Sequence, residues 1–293
     1  MNDGVTLFLD ESYQDGLLVV GGFIIPNEAI QDLDMDWDWL KVVKFEVPIN
    51  LEIKSTYGPG DINRRLLDDA GWTQRFRVPE MLEVISHLPI TILADAIVDG
   101  RVGACPQDWQ IDGLRWCIRR FANDGPRTWS PEFGYRRVVH DMPQKPPSVN
   151  GRKMSPAKEE LLSATATTAF NRIYKEMWHL GETFPNRADR GIALNSLGFE
   201  PNISFGQASS TNALQVADVI CGTVRQYVNY VTNSDPKLEY SEENLSIIAS
   251  QFRSKNTGSG LTTVTYGFDC FGQGETEVIK SEFDAVFRRS RNN

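Results

Sequence analysis

Two apolar runs near the N-terminus, residues 5–9 and 17–25, flank a Gln14-Asp15-Gly16 turn signal and read as an antiparallel hairpin. Strand-like runs follow at 90–98, 135–140, 203–205 and around 261–268. They interleave with helical periodicity over 78–88, 109–122, 156–180 and 212–231, a helix from Ser241, and a terminal helix over 275–289. Interleaved strands and helices behind an initial hairpin predict an α/β fold. Its central sheet is mixed, opens with the antiparallel hairpin and carries helices on both faces. The hairpin is placed at the sheet edge, where a homodimer or another protein partner would have room to add. No period repeats, and no low-complexity linker divides the chain. Residues 143–155, rich in proline and polar side chains, are expected as a mobile connection within a single domain over 1–293.

The chain has 293 residues, 41% hydrophobic and 24% charged, which excludes wholesale disorder. Its net charge of -9 excludes a protein that coats nucleic acid through backbone charge alone. A cluster of acids around a cation remains compatible with that charge. The four cysteines form no CxxC pair, the start lacks a basic signal segment, and the longest apolar stretch, 17–26, is short and broken by glycine. A cytoplasmic protein with reduced thiols and no membrane partner is the expectation.

Four acids stand out. Asp10 follows the first apolar run, Asp141 follows the run at 135–140, Glu52 sits in a short apolar-flanked segment, and Asp218 lies in the apolar helix Leu214-Gln-Val-Ala-Asp-Val-Ile-Cys221. Carboxylates at the ends of buried strands are costly unless paired or holding a cation. Converging hard oxygens suit Mg²⁺ or Mn²⁺, and two such ions can act on a phosphodiester. Each acid alone has a plainer role. Asp10 would accept hydrogen bonds in a hairpin turn, Asp141 would serve the turn before Met142-Pro143, and Glu52 would pair with Lys54. Asp218 is the most telling, because its helix offers little solvent. The three histidines show no metal-ligand spacing, and Cys221 reads as packing. His140 should point to the strand face opposite Asp141.

Phe8-Leu-Asp-Glu-Ser12 with Val20-Gly-Gly-Phe-Ile-Ile25, the strand end Val138-Val-His-Asp141, and Ser209-Ser-Thr-Asn-Ala-Leu-Gln-Val-Ala-Asp-Val-Ile-Cys-Gly222 resemble motifs of the bacterial family catalogued as domain of unknown function 3800. The resemblance covers roughly residues 5 to 230. It implies a fold similar to RNase H and a metal-dependent nuclease, in defence or mobile-element biology. By resemblance, Asp10, Asp141 and Asp218 would hold the ion. Glu52 is the candidate for the fourth ligand and Glu11 matches the motif without a settled role. Lys54 would face a phosphate or the attacking water of a DNA or RNA substrate. Residues 99–135 and those after about 235 look like additions to the family pattern. Glu52-Ile53-Lys54 also matches half of a PD-(D/E)xK nuclease site, with Asp34, Asp36 or Asp38 as the preceding acid. A non-catalytic interaction protein on the same scaffold is the other alternative.

Overall fold

The computed structural model describes residues 4–14, 16–58, 60–98, 107–124, 135–143, 155–181, 193–233, 240–256, 262–263, 267–272 and 276–292. The hairpin is formed by β1 (Val5–Gln14) and β2 (Leu17–Pro26), in register so that Asp10 faces Gly21. Next come α1 (Ile30–Trp39), a π-helical turn (Leu40–Lys44), α2 (Ile62–Asp69), α3 (Gln74–His87) and β3 (Thr91–Val98). The middle of the chain supplies α4 (Gln107–Asp124), β4 (Arg136–Asp141), α5 (Pro156–Leu180), β5 (Ser204–Gly206) and α6 (Asn212–Asn233). The last elements are α7 (Tyr240–Ile248), the short pair β6 (Lys255–Asn256) and β7 (Thr262–Thr263), β8 (Phe268–Gly272) and α8 (Thr276–Asn292).

Six strands form one mixed sheet in the order β5-β4-β1-β2-β3-β8. β1, β2 and β3 run antiparallel in sequence, whereas β4 is parallel to β1, β5 to β4 and β8 to β3. The hairpin therefore does not lie at the edge: both outer sides of β1 and β2 are taken by β4 and β3, and β5 and β8 form the rims. The two-residue side-chain period sorts the sheet into two cores. Phe8, Leu17, Val19, Phe23 and Ile25 face one layer, where α6 is buried almost along its whole length and α1, α3, α7 and α8 close around it. Leu7, Leu9, Leu18, Val20 and Ile24 face the other, against Leu114, Ile118 and Phe121 of α4 and Phe170, Ile173 and Tyr174 of α5. Helices cover both faces, as expected. α4 approaches so closely that a Cβ on Gly113 would come within 2.5 Å of Val20.

Several expected boundaries move. β1 does not stop at Leu9; it runs on through Asp10 to Gln14, because Glu11, Ser12, Tyr13 and Gln14 continue the ladder with β2. α3 begins at Gln74, so Pro79 lies inside the helix instead of in its first turn. Of the residues expected to supply a strand at 261–268, Thr262–Thr263 form β7 and Phe268 opens β8, with 261 and 264–266 outside the described residues. So is most of the proline-rich stretch, 144–154. The residues after 235 contribute the sixth strand and two helices of the α6 layer. β8 is tied to β3 by charge: Arg120 of α4 reaches buried Asp95 of β3 at 2.7 Å and Asp269 of β8 at 3.3 Å, and Lys280 of α8 reaches Asp269 at 2.7 Å.

Candidate metal centre

Parity along the strands decides which acids meet. Asp10 shares the face of Phe8, and Asp141 the face of Val139, so both turn toward α6 from adjacent parallel strands. Asp218, in the seventh position of α6, faces them across the layer. Glu52 and Lys54 do not lie on a strand or helix; they sit in an irregular loop laid against α6. Side chains hold this loop in place of a backbone ladder. The Ile53 N–H donates to Gln215 Oε1 at 3.2 Å, and the Ser55 N–H and hydroxyl donate to Asp218 Oδ2 at 3.0 and 3.3 Å. The Tyr57 hydroxyl accepts from the Lys54 N–H at 3.0 Å and donates to the Glu52 carbonyl at 2.9 Å. Arg77 Nε donates to the Lys54 carbonyl at 3.3 Å. Gly222, one turn after Asp218, makes the close approach possible: a Cβ there would lie 1.9 Å from Ser55 Oγ.

The charges feel one another. Burial, then the charges of Asp218, Glu11 and Asp141, push the Asp10 carboxyl well above the usual range. Burial, then Glu11, raises Asp141 to about 6, against the pull of the Ala208 N–H, His140 and Lys54. Asp218 is raised by burial, with Glu52 adding to the shift and Ser55 and Lys54 opposing it. Burial alone would lower Lys54, but its bond to Glu52 and the charges of Glu52, Asp218 and Asp10 turn the shift upward. An ammonium thus stands among the carboxylates, 3.0 Å from Glu52 Oε1.

Glu11 points the other way. It follows Asp10 by one residue and so faces α4, where Gln110 Nε2 lies 3.5 Å from its Oε1. His140, also on that face, sets Nδ1 against the Asp141 carbonyl at 2.5 Å, which places the ring proton there. Its Nε2 lies 3.5 Å from Glu11 Oε2, too long for a hydrogen bond, and that oxygen is buried with no hydrogen-bond partner. Burial raises Glu11 to about 7 and lowers His140, against the pull of the Asp141 carbonyl and carboxylate. The expected orientation of His140 holds, and the pleat carries Glu11 to the same face.

Among the described residues, no three His, Cys, Asp or Glu side chains are drawn together tightly enough to hold an ion as they stand. Each acid of the α6 face has an oxygen engaged by protein: Asp10 Oδ1 accepts from the Glu11 N–H at 2.7 Å, Asp141 Oδ1 from the Ala208 N–H at 3.0 Å, Asp218 Oδ2 from Ser55, and Glu52 from Lys54. Hard oxygens, mutual repulsion and a lysine as counter-charge still fit a divalent cation as donor chemistry. The side chains would have to turn to close on one.

Sequence reasoning misses Ser55, Gly222 and Gln215, which fix this geometry. A signal for Gln215 was present: an amide three residues before Asp218, on the same side of the otherwise apolar stretch 213–222. Asp34, Asp36 and Asp38 stay on α1. Asn212 donates to Asp38 Oδ1 at 2.9 Å and to the Asp34 backbone carbonyl at 3.4 Å, while buried Lys41 donates to Asn212 Oδ1 at 2.8 Å. No family model, curated protein or solved structure matches this chain. No described helix is long and apolar enough to cross a membrane.

Proposed function

We propose that this chain is a divalent-metal-dependent phosphodiesterase that cleaves DNA or RNA, on a fold of RNase H type. The observation that carries the reading is the convergence of Asp10 and Asp141, from adjacent parallel strands, with Asp218 from the helix packed over them. The sheet order supports the fold assignment: an antiparallel β1-β2-β3 meander with β4 and β5 parallel to β1 on its other side. The motif resemblance in the same three segments points the same way.

Asp10, Asp141 and Asp218 would hold Mg²⁺ or Mn²⁺, and Glu52, on their side of the sheet, is better placed than Glu11 to complete the set. Bound there, the ion supplies Lewis-acid polarisation of a phosphodiester and acidifies the attacking water. Lys54 would leave Glu52 and turn its ammonium to the scissile phosphate. His140 would act from beneath, orienting Asp141 through its backbone carbonyl. The PD-(D/E)xK alternative is not favoured, since Glu52 and Lys54 lie on a loop and Asp38 of α1 is bonded to Asn212. The non-catalytic alternative keeps the same cluster but no turnover.

The test is cleavage of labelled single- and double-stranded DNA, RNA and hybrid oligonucleotides with Mg²⁺ or Mn²⁺, by wild type and by Asp10→Asn. Loss of cleavage in a variant that is as folded as wild type, or more stable, supports the reading. Normal cleavage by Asp10→Asn refutes it.

A further inference from the structure

We infer that Gln215 is the positioning residue that locks the separate parts of the carboxylate site to one another, an assignment that rests on the phosphodiesterase reading. Its side chain is buried, at 1% exposure, one turn before Asp218 on α6. Three hydrogen bonds use both ends of its amide. Oε1 accepts from the Ile53 N–H at 3.2 Å and from Trp37 Nε1 at 3.2 Å, while Nε2 donates to the Ala208 carbonyl at 2.7 Å.

Two of the three partners lead to different parts of the site. Ile53 is flanked by Glu52 and Lys54, so its N–H fixes the loop that carries both. Ala208 presents its own N–H to Asp141 Oδ1 at 3.0 Å. Trp37 anchors α1 against the same helix. One amide on the Asp218 helix therefore holds the Glu52 loop on its acceptor side and the Asp141 clamp on its donor side. The chemistry is specific to glutamine at this point. A glutamate would set a carboxylate against the Ala208 carbonyl, methionine of similar size would leave the Ile53 and Trp37 donors and the Ala208 acceptor unmatched, and asparagine would fall one methylene short.

The experiment compares wild type, Gln215→Met, Trp37→Phe and Phe121→Leu, the last a core lesion on the opposite face of the sheet. Mn²⁺ affinity is measured by calorimetry well below each melting temperature, and amide hydrogen exchange is followed at Ile53 and Ala208. The expected result is an affinity about 10- to 100-fold weaker in Gln215→Met, the range found for residues that orient metal ligands. Exchange at Ile53 and Ala208 should quicken together in that variant, and Trp37→Phe and Phe121→Leu should keep near-wild-type affinity. Unchanged affinity in Gln215→Met, an equal loss in Phe121→Leu, or faster exchange at only one of the two amides would overturn the assignment. If wild type binds no Mn²⁺, the phosphodiesterase reading fails, and the exchange data alone decide whether Gln215 couples the two segments. Should Gln215→Met not fold, Gln215→Asn keeps the polarity, withdraws the amide and is held to the same criteria.

Discussion

Gly222→Ala tests how tightly the Glu52–Lys54 loop is seated on α6. In a helix that only needed a good helix former, alanine would gain about 1 kcal/mol over glycine. Here the added methyl would lie 1.9 Å from Ser55 Oγ and 2.5 Å from Ser55 Cβ. Ser55 is 2% exposed and binds Asp218 through both its N–H and its hydroxyl, so it has little room to yield. Overpacking costs roughly 1–3 kcal/mol, and hydrogen bonds to a charged group contribute about 1.5–3 kcal/mol. The net loss should be on the order of 2–4 kcal/mol, read as a lower urea midpoint at constant slope. Ser55→Gly removes the atoms that clash, so the double variant Gly222→Ala/Ser55→Gly should recover part of that loss, and the cycle measures the coupling. A Gly222→Ala protein as stable as wild type, with its Asp218 environment unchanged, would refute the packing described for this loop.

In the metal-free protein, stability should fall as pH rises from about 5 to 8. Glu11 at about 7 and Asp141 at about 6 lie above their ordinary 4.5 and 3.8, so the folded state holds protons that the unfolded state has released. Over that window the two groups together account for a loss on the order of 4 kcal/mol, the rest of their shifts acting below pH 5. Mn²⁺ added at pH 8 should restore the melting temperature; a flat or rising profile without metal contradicts the buried cluster. Lys54→Met should bind Mn²⁺ about tenfold more tightly, because a competing cation is gone, yet fail to cleave; calorimetry and a cleavage assay on one preparation check both, and weaker binding would contradict the counter-charge role. Arg120→Met should destabilise the protein by about 3–5 kcal/mol in urea melts, since it strips the cation from fully buried Asp95, and a loss below about 1 kcal/mol would make that pair expendable.

The fold was legible where hydrophobic period and turn chemistry agreed. The hairpin, the long helix at Pro156–Leu180 and the buried helix around Asp218 follow from residues 5–25, 156–180 and 212–231 almost as they stand. The place of the hairpin was not legible, because its pairing with β4 and β3 depends on segments more than 60 residues away. Asp10, Asp141 and Asp218 were found because acids in apolar surroundings are conspicuous. Ser55, Gly222 and Gln215 were missed because their roles exist only once the loop meets α6. Glu11 could be separated from Asp10 by strand parity alone, but only after β1 was known to run past Leu9.

Titration of Mn²⁺ into wild type and Asp218→Asn by calorimetry is the most direct test of the carboxylate centre. Binding to wild type that releases protons, rises with pH and disappears in a folded Asp218→Asn protein is the predicted result. No binding to wild type, or equal binding to the variant, would contradict it.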